Sequence, residues 1–143
     1  MAGFSIVTDP LSTPNVRVRH NGGVFAIGDI VVKDRTSDAY DVTTWALSNA
    51  TTLNLFGIAM EATTAASTTV LVKLIDNNQE WKCAATNATS TNHNYLRVPM
   101  TDAHTVNNDG ADGTTTADIF EQTGVASTTE VVGKFIKVGQ AAA

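Results

Sequence analysis

The hydrophobic positions of this chain fall in short runs separated by polar turns. The strongest run is Val24 to Val32, VFAIGDIVV, interrupted once by Gly28-Asp29. Leu53, Leu55, Phe56, Ile58 and Met60 make another, with Gly57 inside it. Val70 to Ile75, VLVKLI, and Glu130 to Val138, EVVGKFIKV, complete the strong set. Between them, Tyr40, Val42 and Thr44 alternate with polar neighbours. Glu80 to Cys83 also alternates, placing Trp81 and Cys83 on one face. Short β-rich runs with turn signals every ~8–12 residues predict an all-β sandwich or barrel. No sustained 3.6-residue stripe exists, which excludes a coiled coil or interfacial helix. The expected fold class is therefore all-β: a small barrel-like domain with long polar loops.

Gly28, Gly57 and Gly133 each interrupt an apolar run. A glycine inside a strand marks a bulge or a close backbone approach, as a small barrel needs where it bends. Asp29, beside Gly28, is suited to accepting local backbone hydrogen bonds. A role as acid or metal ligand would need a second group at motif spacing, and the neighbouring sequence offers none.

Residues 1–20 differ from the rest and are expected as an extended N-terminal arm, with a single β domain over 21–143 opened by the turn Asn21-Gly22-Gly23. Phe4, Ile6 and Val7 are apolar. Asp9-Pro10 and Thr13-Pro14 then break any regular element. Val16 and Val18 alternate with Arg17 and Arg19. Prolines so close together rule out a central strand. Such an arm either adds a strand to a neighbour's exposed edge or packs on its own barrel. At the other end, Asn87 to Asn94 and Thr101 to Thr116 read as polar loops, and Pro99 marks an edge.

Composition narrows the surface chemistry. Only 16% of the 143 residues are charged, against ~25% in a typical domain. Thr, Ser and Asn take their place, a combination suited to exposed strands and turns. The net charge of −5 argues against nucleic acid as a partner, because phosphate neutralisation needs a basic face. No apolar run approaches the ~20 residues of a membrane helix. The N-terminus lacks the charged and apolar regions of a signal peptide, so synthesis in a cytosol is expected, and the sequons at Asn49 and Asn87 read as accidental. The single cysteine, Cys83, permits no internal disulfide and reads as a small buried hydrophobe.

No catalytic constellation emerges. There is no G-x-S-x-G and no phosphate-cradling loop. His20, His93 and His104 lie in polar contexts and read as surface residues. His93 and His104 share a stretch with Asp102 and Asp109, but at no zinc spacing. The acidic segment Asn108 to Gly113 misses the calcium-loop pattern: with Asp109 first, the twelfth position is Phe120. No catalytic, metal or cofactor-binding residue is expected, and no cofactor.

The order of parts resembles the head decoration, or capsid cement, proteins of tailed bacteriophages. An extended arm comes first. F-x-x-G-D-I-V follows, here Phe25, Gly28, Asp29, Ile30 and Val31. Then come F-G-I-A, Phe56 to Ala59, and the closing V-V-G-K-F-I, Val131 to Ile136. This skeleton spans Val24 to Val138; the stretch from Asn77 to Thr116 matches only in general character. The resemblance implies a β-tulip fold and a homotrimer bound to a major capsid protein. It implies a place on the outer capsid surface of the virion, after synthesis in the host cytoplasm. The role would be structural, not enzymatic, with no nucleic-acid or membrane partner. The capsid-contact candidates are then Phe4, Ile6, Val7, Val16, Arg17, Val18 and Arg19. On this reading, deleting Met1 to Arg19 leaves the fold and weakens attachment. The alternative is a small β-sandwich module that binds carbohydrate or a host surface through exposed aromatics. A small hydrolase with a scattered site ranks last.

Overall fold

The computed structural model describes residues 3–20, 24–34, 40–42, 53–64, 66–108 and 119–136, without the side chains of 34, 40–42 and 53–55. The chain is all-β, as expected. Its strands are β1 (Ser5–Thr8), β2 (Asn15–Arg19), β3 (Ile30–Asp34), β4 (Tyr40–Val42), β5 (Leu53–Ala59), β6 (Thr69–Leu74), β7 (Glu80–Ala85), β8 (Arg97–Val98), β9 (Met100–Asp102), β10 (Thr105–Val106), β11 (Phe120–Val125) and β12 (Glu130–Phe135). They form a nearly closed, barrel-like arrangement of two sheets. The larger sheet runs β8-β11-β12-β7-β10-β9, with β1 also on β7; the smaller runs β2-β6-β5-β3-β4.

Alternation explains the main strands. In β7 Trp81 and Cys83 point inward, and in β12 Val131, Gly133 and Phe135 do so. Ile30 and Val32 of β3 and Ile58 of β5 meet them from the smaller sheet, with Phe4, Phe120 and Met100. Burying each large side chain contributes about 1.5–3 kcal/mol. The smaller sheet is apolar on its other face too. There Val31, Ala59, Val70 and Val72 form a second cluster under Phe25, with Val18 and Phe56 against it. This explains why the β3 run is continuous rather than alternating: both of its faces are covered.

The described part of the long polar segment after Met100, residues 101–108, holds strand structure that the sequence did not imply. β9 and β10 form a tight ladder within it, and β10 runs parallel to β7. Asn108 is fully buried; its amide donates to the carbonyls of Asn87 and Ala88, and its Oδ1 accepts from the Asn87 N–H. The calcium reading of 109–113 lies outside the described residues, as do Thr44 and Val138. β11 ends on Gly124-Val125. Pro99 separates two strands that end the larger sheet on opposite sides, which fits its edge character.

The glycines divide by cause. Gly28 is not inside a strand. It lies in the turn before β3 with φ of +93°, and a Cβ there would stand 2.5 Å from Gly3 Cα. Gly57 and Gly133 are strand glycines beside bulges. The β3–β5 ladder skips Phe56, and the β11–β12 ladder skips Thr123. A Cβ on Gly133 would meet the Glu121 carbonyl and the Phe120 ring. Gly124 has open space around it. Gly28→Ala is therefore expected to lower stability by at least about 2 kcal/mol, from left-handed strain plus collision with backbone that cannot yield. Gly124→Ala should be neutral or slightly stabilising. Chemical denaturation of both variants checks the contrast.

Candidate functional site

The segment expected as an arm is woven into both sheets. β1 pairs antiparallel with β7, Ser5 opposite Lys82 and Ile6 opposite Trp81, and the ladder skips Val7 before Thr8 meets Glu80. β2 pairs along its whole length with β6, from Asn15 opposite Lys73 to Arg19 opposite Thr69. Among the described strands, β1 and β2 each have one neighbour on one side only. Pro10 and Pro14 fall between them, where no ladder needs their missing N–H groups.

The corner joining β1 to β2 is held by a polar knot. Asp9 Oδ2 lies 2.7 Å from Lys73 Nζ, and both side chains are largely withdrawn from water. Lys73 Nζ also donates to the Thr13 carbonyl at 2.9 Å. Asp9 Oδ1 accepts from the Thr13 N–H and from Gln79 Nε2. Gln79 is fully buried at the crossing from β6 to β7. Its Nε2 also reaches Thr13 Oγ1 and the Leu74 carbonyl, and its Oε1 accepts from the Asp76 N–H and from Trp81 Nε1. Sequence reasoning missed this hub. A glutamine after Asp-Asn-Asn reads as one more turn residue, and its partners lie up to 70 positions away.

The contact candidates are therefore not equivalent. Phe4 is a correction: it is 4% exposed, its ring 4.9 Å from Phe135 and 5.6 Å from Phe120, and its N–H bonds the Gly28 carbonyl. It is a core residue because the closing sheets leave an aromatic-sized gap there. Deleting Met1 to Arg19 would remove that ring and two strands, so the expected tolerance of that deletion is also corrected. Ile6 and Val7 are 40% and 49% exposed. Leu11, at the corner, is 65% exposed and was not among the candidates. Val16 and Val18 are half-buried, Val18 against the second cluster. Arg17 is exposed but tied to Glu61 at 2.7 Å, and Arg19 is exposed.

Asp29 has a partner that the sequence did not reveal. Its Oδ2 accepts from the Ala26 N–H, and its Oδ1 lies 2.9 Å from Nδ1 of His104, 75 positions away. Nε2 of His104 faces Asp102 Oδ1 at 3.5 Å. The imidazole thus bridges two carboxylates and clips the β9–β10 turn to the turn before β3. Ile30 N–H bonding to the Ala103 carbonyl reinforces the same join. Among the described residues no group of three or more His, Cys, Asp or Glu side chains is placed to hold a metal ion. Cys83 is fully buried, and burial pushes its thiol far above the usual range, which leaves it an unreactive packing residue. No helix among the described residues is long and apolar enough to cross a membrane.

Compared with models of protein families, with curated proteins and with solved structures, the chain matches none.

The knot makes the N-terminal segment sensitive to acid. Hydrogen bonding from Lys73, then Gln79, holds the Asp9 carboxyl below its usual range. A carboxyl depressed in the folded state adds stability above its unfolded value of about 3.9, and that stability is lost as pH falls through the folded value. Hydrogen exchange at β1 amides should therefore accelerate below about pH 4 relative to β12 amides. In Asp9→Asn this extra acid dependence should disappear, with β1 exchanging faster at neutral pH. His104→Ala removes a partner of the buried Asp29 carboxylate and should cost about 1–3 kcal/mol in equilibrium unfolding.

Proposed function

We propose that this chain is a structural protein that binds the outer surface of a viral capsid and stabilises the head as a trimeric decoration protein. One observation supports the reading most directly. The N-terminal segment forms an outer strand on each sheet and turns Ile6, Val7 and Leu11 to solvent. An outer strand with apolar side chains is a template for a partner's strand. The segment is also pre-ordered by Phe4 and the Asp9–Lys73–Gln79 knot. A docking edge fixed before binding loses less entropy on association than a frayed one. Repetition over a capsid lattice turns modest contacts into firm retention.

The division of labour inside the segment refines the role. Phe4 anchors, Ile6, Val7 and Leu11 face out, and β2 offers a second edge carrying Arg17 and Arg19. The sequence resemblance to decoration proteins supports the same reading, as does a surface low in charge and rich in Thr, Ser and Asn.

The test uses point variants, since the segment belongs to the core. Sedimentation should give a trimer in solution. A major capsid protein gene should lie beside its own gene, and the protein should co-sediment with heads built from that capsid protein. Ile6→Lys with Val7→Lys should leave unfolding within about 0.5 kcal/mol, as exposed positions do. The same pair should weaken attachment more than about tenfold, or 1.4 kcal/mol. A monomer that ignores such heads, or a double variant that attaches at full strength, overturns the proposal.

A further inference from the structure

Tyr95 is the most exposed large hydrophobic side chain described, at 72%. It also has φ of +69°, a left-handed conformation that costs a side-chain-bearing residue about 1–2 kcal/mol. The surroundings hold it there. Its N–H donates to the Gln122 carbonyl at 2.6 Å, and Gln122 N–H donates back to the Leu96 carbonyl at 3.2 Å. The Gln122 side chain is fully buried, and its Nε2 donates to the Ser90 carbonyl and Asn94 Oδ1, both at 2.9 Å. Ser90 in turn caps the 3-10 turn Thr91–His93, its Oγ accepting from the Asn92 N–H. The segment before Tyr95 and the strand after it are thus both pinned to β11. The outcome is an aromatic ring held out in water, and no ring contact within the molecule offsets the strain among the described residues. Strain that the surroundings enforce is a mark of functional positions.

The frame around the ring limits what it can bind. Just before it in the chain are Thr91 and Asn92, exposed, and His93 and Asn94, half-buried. Leu96 adds a modest apolar area at 38% exposure. Arg97 and Glu121 face each other at 3.9 Å and offset one another's charge. A protein partner needs about 800 Å² per side around an apolar centre, far more than one ring and part of a leucine. Nucleic acid can stack on a tyrosine but needs a basic groove, and the described residues form none around this one. What remains is a ligand with a small apolar face and a rim of uncharged hydrogen-bonding groups. A neutral sugar ring fits. Its C–H face lies on the electron-rich face of the tyrosine, and its hydroxyls meet amides and hydroxyls. We infer that the Tyr95 corner is a binding platform for a neutral saccharide.

The platform is separate from the edge assigned to docking. Ile6 lies opposite Trp81, Trp81 opposite Gly133, and Gly133 opposite Gln122, to which Tyr95 bonds. Tyr95 and Ile6 therefore end the same cross-strand row, about 19 Å apart along the sheet at the usual strand spacing. A partner on β1 leaves Tyr95 in solvent. The inference does not depend on the capsid reading and survives if that reading fails. One aromatic platform binds a single saccharide weakly, with Kd of about 1 mM, and several copies on one particle would raise the avidity.

The experiment is saturation-transfer NMR on the full chain with maltotriose, cellotriose, chitotriose and lactose, and with sialyllactose as the acidic comparison, each to about 10 mM, roughly ten times that Kd. At least one neutral saccharide should show transfer. Tyr95→Phe should keep the affinity within about twofold, because the ring stays. Tyr95→Gly should lose at least about tenfold while melting at a higher temperature, because glycine relieves the left-handed strain. That pairing separates a lost platform from a lost fold. No transfer from any neutral saccharide overturns the inference, as does undiminished binding by Tyr95→Gly. A Tyr95→Gly variant whose sedimentation coefficient falls also overturns it, because the ring would then be packing against a second copy of the chain.

Discussion

Phe4 closes the molecule. The two sheets converge on the aromatic cluster of Phe120, Phe135 and Trp81 from one side and on Ile30, Val32 and Ile58 from the other. Phe4 enters that space from the chain's own beginning. The contact between Gly3 and Gly28 backbones, tolerable only without a Cβ, lets it enter at that depth. The Asp9–Lys73–Gln79 knot then turns the chain from the edge of one sheet to the edge of the other. A small barrel-like fold with two sheets has open seams, and here a single segment of under twenty residues stitches one of them. Without the ring, the core has a large cavity; without the knot, β1 and β2 lose their common corner. Cavities of that size in closely packed interiors are among the most destabilising changes known.

That constraint shapes the functional reading. A strand used as a stitch lies at a sheet's edge, and its outer side remains for a partner. Anchor and display are thus near neighbours in the chain, Phe4 buried just before β1 and Ile6 and Val7 exposed on it. The far edge of the same sheet presents Tyr95, pinned by a buried glutamine. Two buried glutamines, Gln79 and Gln122, do the orienting, each using its amide to hold segments that hydrophobic burial alone would leave loose. Fully satisfied, such networks specify geometry more than they add stability. Gln79 meets that condition through donors and acceptors from four segments.

Much of the fold was legible in the order of residues. The alternation at Trp81 and Cys83, the continuous run at Val31 and Val32, and the proline-marked edges each report a local rule of strand burial or missing donors. The strands β9 and β10 were not legible. Each is two or three residues long, and neither carries a period that a short polar segment can express. The candidate site was half legible. Exposed Ile6 and Val7 on an edge follow from apolar residues between breakers. The inward turn of Phe4 does not follow, because the same three apolar residues are compatible with either face of an edge strand. Leu11 and Tyr95 escaped notice because an exposed hydrophobe in a turn has no sequence signature.

By itself the sequence determined the class of element, the breakpoints between elements and the uncharged polar character of the surface. These depend on neighbours within a few positions: side-chain period, φ restriction at proline, turn chemistry at Asn and Gly. Only the tertiary structure decided which residues separated by 70 or more positions became partners, as with Asp29 and His104 or Asp9 and Gln79. Those pairings carry little local signal because their energy exists only once the backbone has brought the groups into a shared, water-poor place. The same holds for Phe4, whose role was settled by the size of the gap left between two sheets.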